Sequence, residues 1–151
     1  MSARIFLDTN TLVYVLEGKE PAPGVTLTPD EIEANRKGDI TLQLLLSGEI
    51  FTSVQVFNEL CNVTLRRKFD WPKTKEMLAT LEALCTDVVP LTLEVHKRGL
   101  FLHEKYRLHF YDALMLAAAL QAGCVTFYSE DMQDGQVIES MMTIKNPYSL
   151  Y

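Results

Sequence analysis

The chain has few of the residues that form zinc sites or disulfides. Its three cysteines are far apart in apolar stretches, without a CxxC pair: Cys61, Cys85 and Cys124. This pattern indicates buried, reduced thiols in a cytosolic protein. The three histidines lack the close spacing of a zinc site, and we interpret them as helix-surface or interface residues: His96, His103 and His109.

Long apolar runs are also missing. No run approaches the length that spans a membrane, and no signal-peptide hydrophobic segment follows the first four residues. Linkers, repeats and low-complexity stretches are not found either. With 151 residues, of which 48% are hydrophobic, the chain can bury a sizeable core. We expect a single domain over residues 1–151 and a cytoplasmic protein.

Positive charge is scarce, with 14 Lys and Arg residues against 20 Asp and Glu residues and a net charge of −6. This balance argues against binding of nucleic acid by a broad basic surface. It does not exclude a nuclease, because bound divalent metal would offset acids at a site. Local basic clusters could still guide a phosphate backbone: Arg66-Arg67-Lys68, Lys97-Arg98, and Lys105 with Arg107.

Short apolar strands alternate with helical patterns along the chain. Strands are predicted at Arg4–Leu7, Ile50–Ser53, Val88–Leu91 and Cys124–Tyr128, with a last one around Met142–Ile144. Helices are predicted after Asp8, from Thr28 to Ser47, from Ser53 to Lys68, from Pro72, from Thr92 to Arg107, and around Asp112. Gly38 is a candidate break in the second helix, and Gly48 is its predicted C-cap. The alternation predicts an α/β fold with a mainly parallel sheet of four to five strands.

Carboxylates recur where apolar segments give way to helices or turns: Asp8 in IFLDTN, Glu59 in FTSVQVFNEL, Asp112 in FYDALMLAAAL and Asp131 in VTFYSEDMQDG. Because the carboxyl ends of parallel strands lie along one sheet edge, we expect these acids to converge. Carboxylate oxygens suit Mg²⁺ or Mn²⁺, and phosphodiester cleavage is the reaction that most naturally uses such a cluster. Whether one or two ions act is left open.

Each acid also has an ordinary structural explanation. Asp8 can cap a helix, Glu59 can face solvent, Asp112 can complement a helix dipole and Asp131 can favour a turn. Against these explanations, Asp8 ends a buried strand, while Glu59 and Asp112 lie on apolar helices, where an uncompensated carboxylate is costly. We therefore interpret all four as metal ligands and catalytic residues.

Neighbouring polar residues are candidates for supporting roles. Thr9 and Asn10 could orient Asp8 or bind a phosphate oxygen, and Asn10 is our main candidate for a residue that supports a metal ligand. Ser129 could hold Asp131 or a water molecule, or it could make a local turn bond. Asp134 lies further along the same polar segment and is an auxiliary candidate.

The four acids, with LDTN near the start and YSEDMQDGQ near the end, resemble those of PIN-domain ribonucleases, and within them the VapC-like toxins of toxin-antitoxin pairs. The resemblance implies a PIN-like three-layer domain and an endoribonuclease that depends on Mg²⁺ or Mn²⁺. It further implies a homodimer and an antitoxin that occludes the site. The segment from Lys19 to Gly38 looks longer than the usual family connection, which suggests an altered dimer surface or substrate rim.

Two other functions remain open at this point. A metal-dependent phosphatase or receiver-type phosphoacceptor also places Asp at strand ends, but the DxDx[TV] motif is absent and no strand-end Lys is obvious. A catalytically silent PIN-like module that binds RNA or a protein partner is favoured by the low positive charge. The intact acids argue against it.

Overall fold

The structure is a computed structural model that describes residues 3–150. Its strands are β1 (Arg4–Leu7), β2 (Glu49–Ser53), β3 (Asp87–Val89), β4 (Thr126–Tyr128), β5 (Val137–Ile138) and β6 (Met142–Lys145). Its helices are α1 (Thr9–Glu17), α2 (Pro29–Leu45), α3 (Val54–Arg66), α4 (Trp71–Leu84), α5 (Leu93–Tyr106) and α6 (Phe110–Gln121). A 3₁₀ helix follows at Pro147–Leu150.

All these strands belong to one sheet in the order β3-β2-β1-β4-β6-β5. Five of them are parallel, as the predicted α/β fold requires. The two-residue β5 is an additional antiparallel strand that pairs with β6. The central strands are buried, and the ring of Phe6 on β1 stacks on Phe127 of β4 with centroids 5.1 Å apart.

The apolar helix α6 lies in the core, as its sequence predicts. Its residues 113–120 are all buried, and it packs against α5 and β2. Gly99 on α5 permits the close approach, because a Cβ there would lie 2.8 Å from the Leu114 side chain. In the part of the chain described, no helix is both long enough and apolar enough to cross a membrane.

Two details of the second predicted helix are wrong. Helix α2 continues through Gly38, whose missing Cβ would lie 2.8 Å from the Tyr14 carbonyl oxygen. This glycine therefore permits close packing of α2 on α1 and does not break the helix. The C-cap is Leu46 and not Gly48.

The long connection after α1 folds back on that helix. The side-chain amide of Asn35 on α2 accepts a hydrogen bond from the Lys19 N–H at 2.9 Å and donates one to the Lys19 carbonyl at 2.7 Å. Helix α2 begins at Pro29, with Thr28 as its N-cap, so the predicted start is confirmed. The segment from Lys19 to Gly38 thus includes a loop and the first half of a helix that lies against α1.

Candidate active site

A cavity of about 320 Å³ brings together the four acids that the sequence singles out. They come from the end of β1, from α3, from the first turn of α6 and from the segment after β4: Asp8, Glu59, Asp112 and Asp131. We call this the acidic cavity. A larger cavity of about 470 Å³ lies among α1, α2, α3 and α4 and contains none of these four acids. The chemistry of the side chains, rather than size, makes the acidic cavity the candidate site.

Asp8 is fixed at the end of the central strand. Its N–H donates to the Tyr128 carbonyl at 3.1 Å, and its carboxylate accepts the Thr11 N–H at 3.1 Å as the N-cap of α1. The residue is only 4% exposed. Burial raises the pKa of Asp8 to about 7, although hydrogen bonds from Ser129 and Thr11 oppose the shift. Asp8 is therefore both a helix cap and a destabilised carboxylate.

The acids of the two helices are also harder to ionise than usual. Burial raises the pKa of Glu59, which the nearby Asp112 raises further, while a hydrogen bond from Thr9 and the charge of His109 lower it. Burial likewise raises the pKa of Asp112, with His109 opposing and Asp131 adding to the shift. These mutual effects show that the carboxylates share one electrostatic environment. His109, which we interpreted as an ordinary surface residue, lies close enough to influence two of them.

The residues around Asp8 connect the acids to one another. The Thr9 hydroxyl donates to Glu59 Oε2 at 3.0 Å, and the Asn10 side-chain amide donates to Asp131. The Ser129 hydroxyl accepts the backbone N–H of Asp131 at 3.3 Å, which is a local turn bond, and it also hydrogen-bonds Asp8. The DTN segment and Ser129 therefore touch three of the four acids.

Asp134, the auxiliary candidate, has a different environment. Its Oδ1 accepts the Asn146 N–H at 2.8 Å, and the residue is not among those that line the acidic cavity. Asp131 does line the cavity, three residues earlier in the same segment. The two acids thus form a matched pair, one inside the cavity and one outside it.

The donor set fits a hard divalent cation in its chemistry. Four carboxylates surround one cavity, and the raised pKa of three of them means that added positive charge would be favourable there. Among the side chains that the structure describes, those of residues 3–149, no group of three His, Cys, Asp or Glu residues is arranged to hold one ion. Glu59 and Asp131 accept hydrogen bonds from Thr9 and Asn10 instead, so an ion would compete with these two bonds.

The segment that carries Asp131 is held from outside the cavity by α2. Glu130 forms an ion pair with Lys37, and the Tyr14 hydroxyl donates to Glu130 Oε2 at 2.5 Å. The Lys37 ammonium also lies 5.0 Å from the ring centroid of Tyr14 and 5.4 Å from that of Tyr148. This partly buried network fixes the backbone between Ser129 and Asp131. The sequence pattern did not reveal it.

Two further polar residues of the acidic cavity were not predicted as site residues, although Arg66 was named in a basic cluster that could guide a phosphate backbone. Asn62 and Arg66 follow Glu59 by three and seven residues on α3, so they share its helical face. That spacing is a signal that could have found them. The remaining lining residues that were not predicted are apolar: Val63, Met115 and Met132.

Comparison with known proteins identifies the family. The PIN domain model matches residues 5–133, so this chain belongs to the PIN domain family. A chain of a toxin-antitoxin complex from Klebsiella pneumoniae is similar in structure, with a TM-score of 0.64, 15% identity, and coverage of 95% of this chain and 98% of that one. A chain of VapBC2 from Rickettsia felis, bound to a promoter DNA fragment, gives a TM-score of 0.63, 14% identity and the same coverages.

A third similar structure is VapC20 from Mycobacterium tuberculosis, described as a Sarcin-Ricin loop cleaving toxin. Its TM-score is 0.52 at 20% identity, with 84% of this chain and 91% of that chain covered. No curated protein matches the sequence. At these identities the structural comparisons show a shared fold.

The buried Asp8 carboxyl should make stability depend on pH in metal-free buffer. Its folded-state pKa of about 7 lies above the ordinary 3.8, so the folded state binds more protons between these values. The unfolding free energy of the wild type, relative to Asp8→Asn, should therefore fall as pH rises from about 4 to about 7, by at most ~4 kcal/mol. Asn keeps the helix cap but does not titrate. Denaturant unfolding across this pH range in EDTA measures the difference, and a constant difference would contradict the prediction.

Proposed function

We propose that this protein is a VapC-like endoribonuclease that depends on Mg²⁺ or Mn²⁺ and acts as the toxin of a type II toxin-antitoxin pair. One observation carries the proposal: in a PIN-family chain, four acids from distant segments line one cavity. Asp8, Glu59, Asp112 and Asp131 are proposed to hold the ion, with Asp8 as the central ligand.

The electrostatics of the cavity explain why a cation is part of the proposal. A phosphodiester is an anion, and it could not approach four ionised carboxylates without a compensating positive charge. Held by these carboxylates, a divalent ion would supply that charge, together with Lewis-acid polarisation of the phosphoryl group and a lowered pKa for an attacking water. The chain's own contribution is to fix the acids. Thr9 holds Glu59, Asn10 holds Asp131, and Ser129 joins Asp8 to the segment after β4.

The RNA substrate and the antitoxin are proposed from the similar structures. One of them is described as cleaving the Sarcin-Ricin loop, and two are described as toxin-antitoxin or VapBC structures. An antitoxin that occludes the acidic cavity would silence the enzyme, and an Arg placed among the carboxylates would suit their negative charge.

A homodimer is proposed from the exposed apolar side chains between residues 28 and 84. Six large apolar side chains there are at least 40% exposed: Ile32, Leu42, Leu46, Leu65, Trp71 and Leu84. The apolar spacing of the helix after Pro72 predicts that Leu84 faces inward, and its exposure of 45% corrects that prediction. Exposed apolar side chains in such number favour association with a second copy. Light scattering of the purified protein should give the mass of a dimer, and a monomer at micromolar concentration would contradict this part of the proposal.

Asp131→Asn and Asp134→Asn form the matched test of the active site. RNA cleavage in Mg²⁺ or Mn²⁺ should be abolished by EDTA and should fall by at least about a hundredfold in Asp131→Asn, because a carboxylate of the cavity loses its charge. Asp134→Asn should cleave like the wild type, since Asp134 lies outside the cavity and Asn can still accept the Asn146 N–H.

Cleavage rates and product ends are both read from labelled RNA on denaturing gels. The products should carry 5′-phosphates and 3′-hydroxyls, because in the proposed reaction water attacks phosphorus and the bond from phosphorus to the 3′ oxygen breaks. Ends with 2′,3′-cyclic phosphate would show attack by the ribose 2′-hydroxyl and would rule out this mechanism. Full activity in Asp131→Asn would remove that residue from the active site.

A further inference from the structure

Arg66 is the one Lys or Arg among the residues that line the acidic cavity. We propose that it binds the substrate phosphate next to the one that is cleaved, so that α3 carries a phosphate subsite beside the acids. This inference rests on the proposed ribonuclease function, because it assigns a contact to the same substrate. It names a binding residue and not a catalytic one.

The position of Arg66 on α3 supports this assignment. Glu59, Asn62 and Arg66 all line the cavity, so one face of the helix runs from the acids to the guanidinium. Seven residues of helix separate Glu59 from Arg66, which is a rise of about 10 Å. A nucleic-acid strand that places its reacting phosphate at Glu59 can therefore place a neighbouring phosphate at Arg66.

The Arg66 guanidinium is also available to a ligand. Within the described chain it has no hydrogen-bond, ion-pair or ring partner, even though four acids line the same cavity. Three other arginines are each paired: Arg4 with Glu49, Arg36 with Glu33 and Arg67 with Glu17. An unpaired guanidinium at the edge of an acidic site can bind a phosphate through two parallel hydrogen bonds.

The negative overall charge of the chain makes a cation beside the cavity more important for RNA binding. With a net charge of −6, this chain cannot attract RNA through its total charge, and the acids of the cavity repel the strand further. Positive charge beside the cavity then has a large effect on where the strand lies. Arg66 would keep the strand along α3 while the reacting phosphate enters the cavity.

Arg67 is a matched control beside it. It carries the same charge one residue later, yet it lines the larger cavity and pairs with Glu17 on α1. Arg66 is exposed near the C-terminus of α3, so its replacement should remove only a small helix-dipole contribution to stability. Thermal melting of Arg66→Gln and Arg67→Gln checks that both variants are folded.

The experiment measures binding of a short, fluorescent single-stranded RNA of mixed sequence, with Ca²⁺ in place of Mg²⁺ to slow cleavage. Arg66→Gln should bind roughly tenfold more weakly than the wild type. The slope of log affinity against log salt should become shallower by about 0.7, as expected for one lost contact to a single-strand phosphate. Arg67→Gln should match the wild type in both, and Arg66→Lys should restore most of the slope. In Mg²⁺, Arg66→Gln should raise KM with little change in kcat.

The outcomes separate the two proposals. If the wild type cleaves RNA but Arg66→Gln keeps its affinity and salt slope, the phosphate subsite is overturned and the ribonuclease function stands. A loss of kcat with unchanged KM in Arg66→Gln would also overturn it. If RNA binds with the expected Arg66 dependence but no cleavage occurs, the subsite stands and the catalytic function fails. If the wild type neither binds nor cleaves RNA, both are overturned.

Discussion

The central constraint of this structure is a carboxylate that is buried at the end of the central strand. Asp8 directly follows β1, caps α1 and lies against the segment after β4, and only 4% of the residue is exposed. An ionised carboxylate in such a place costs free energy, and burial accordingly raises the pKa of Asp8. Placing three further acids around the same cavity increases that cost, which is the expected pattern for a functional site and not for a stabilising one.

The surrounding elements hold this unfavourable group of charges together. Lys37 on α2 forms an ion pair with Glu130, the residue directly before Asp131. Gly38, the next residue on α2, lets this helix approach α1 closely and so brings Lys37 within reach of Glu130. The backbone around Asp131 is thus fixed by groups that do not line the acidic cavity. The fold supplies the rigidity, whereas the carboxylates of Glu59 and Asp131 accept hydrogen bonds from Thr9 and Asn10, with which an ion would compete.

The sequence predicted the elements whose signals are local. Strand β1 has the predicted bounds. The four acids line one cavity because Asp8 and Asp131 follow strands and Glu59 and Asp112 lie on apolar helices, where residue type and spacing are informative. Of the hairpin formed by β5 and β6, only β6 was predicted, because the turn between the two strands lacks the usual Asn-Gly. Glu139 and Ser140 adopt φ of 53° and 56° there, and the Tyr106 hydroxyl holds Glu139 by accepting its N–H at 2.9 Å. Such a long-range contact leaves no local pattern.

Residues that act through tertiary contacts were harder to find for the same reason. Lys37 and Glu130 are 93 positions apart, and nothing in either local segment indicates the pair. Arg66 was recognised only as part of a basic cluster, because the sequence does not show that Arg66 and Arg67 lie against different cavities. The helical spacing of Glu59 and Arg66 indicates that they share one face of α3. That this face lines the acidic cavity follows only from the orientation of α3 in the structure.

The four acids are proposed to form one divalent-metal site, and the proposed ribonuclease activity depends on it. Thermal unfolding of the wild type and of Asp112→Asn, with and without Mn²⁺, tests it most directly. The ion should stabilise the wild type by roughly 2.7 kcal/mol at a concentration 100 times its Kd, and it should stabilise Asp112→Asn much less. Without metal, the variant should melt at the same temperature as the wild type or higher, because a repelling charge has been removed. Equal stabilisation of both proteins by Mn²⁺, or none of either, would contradict the claim.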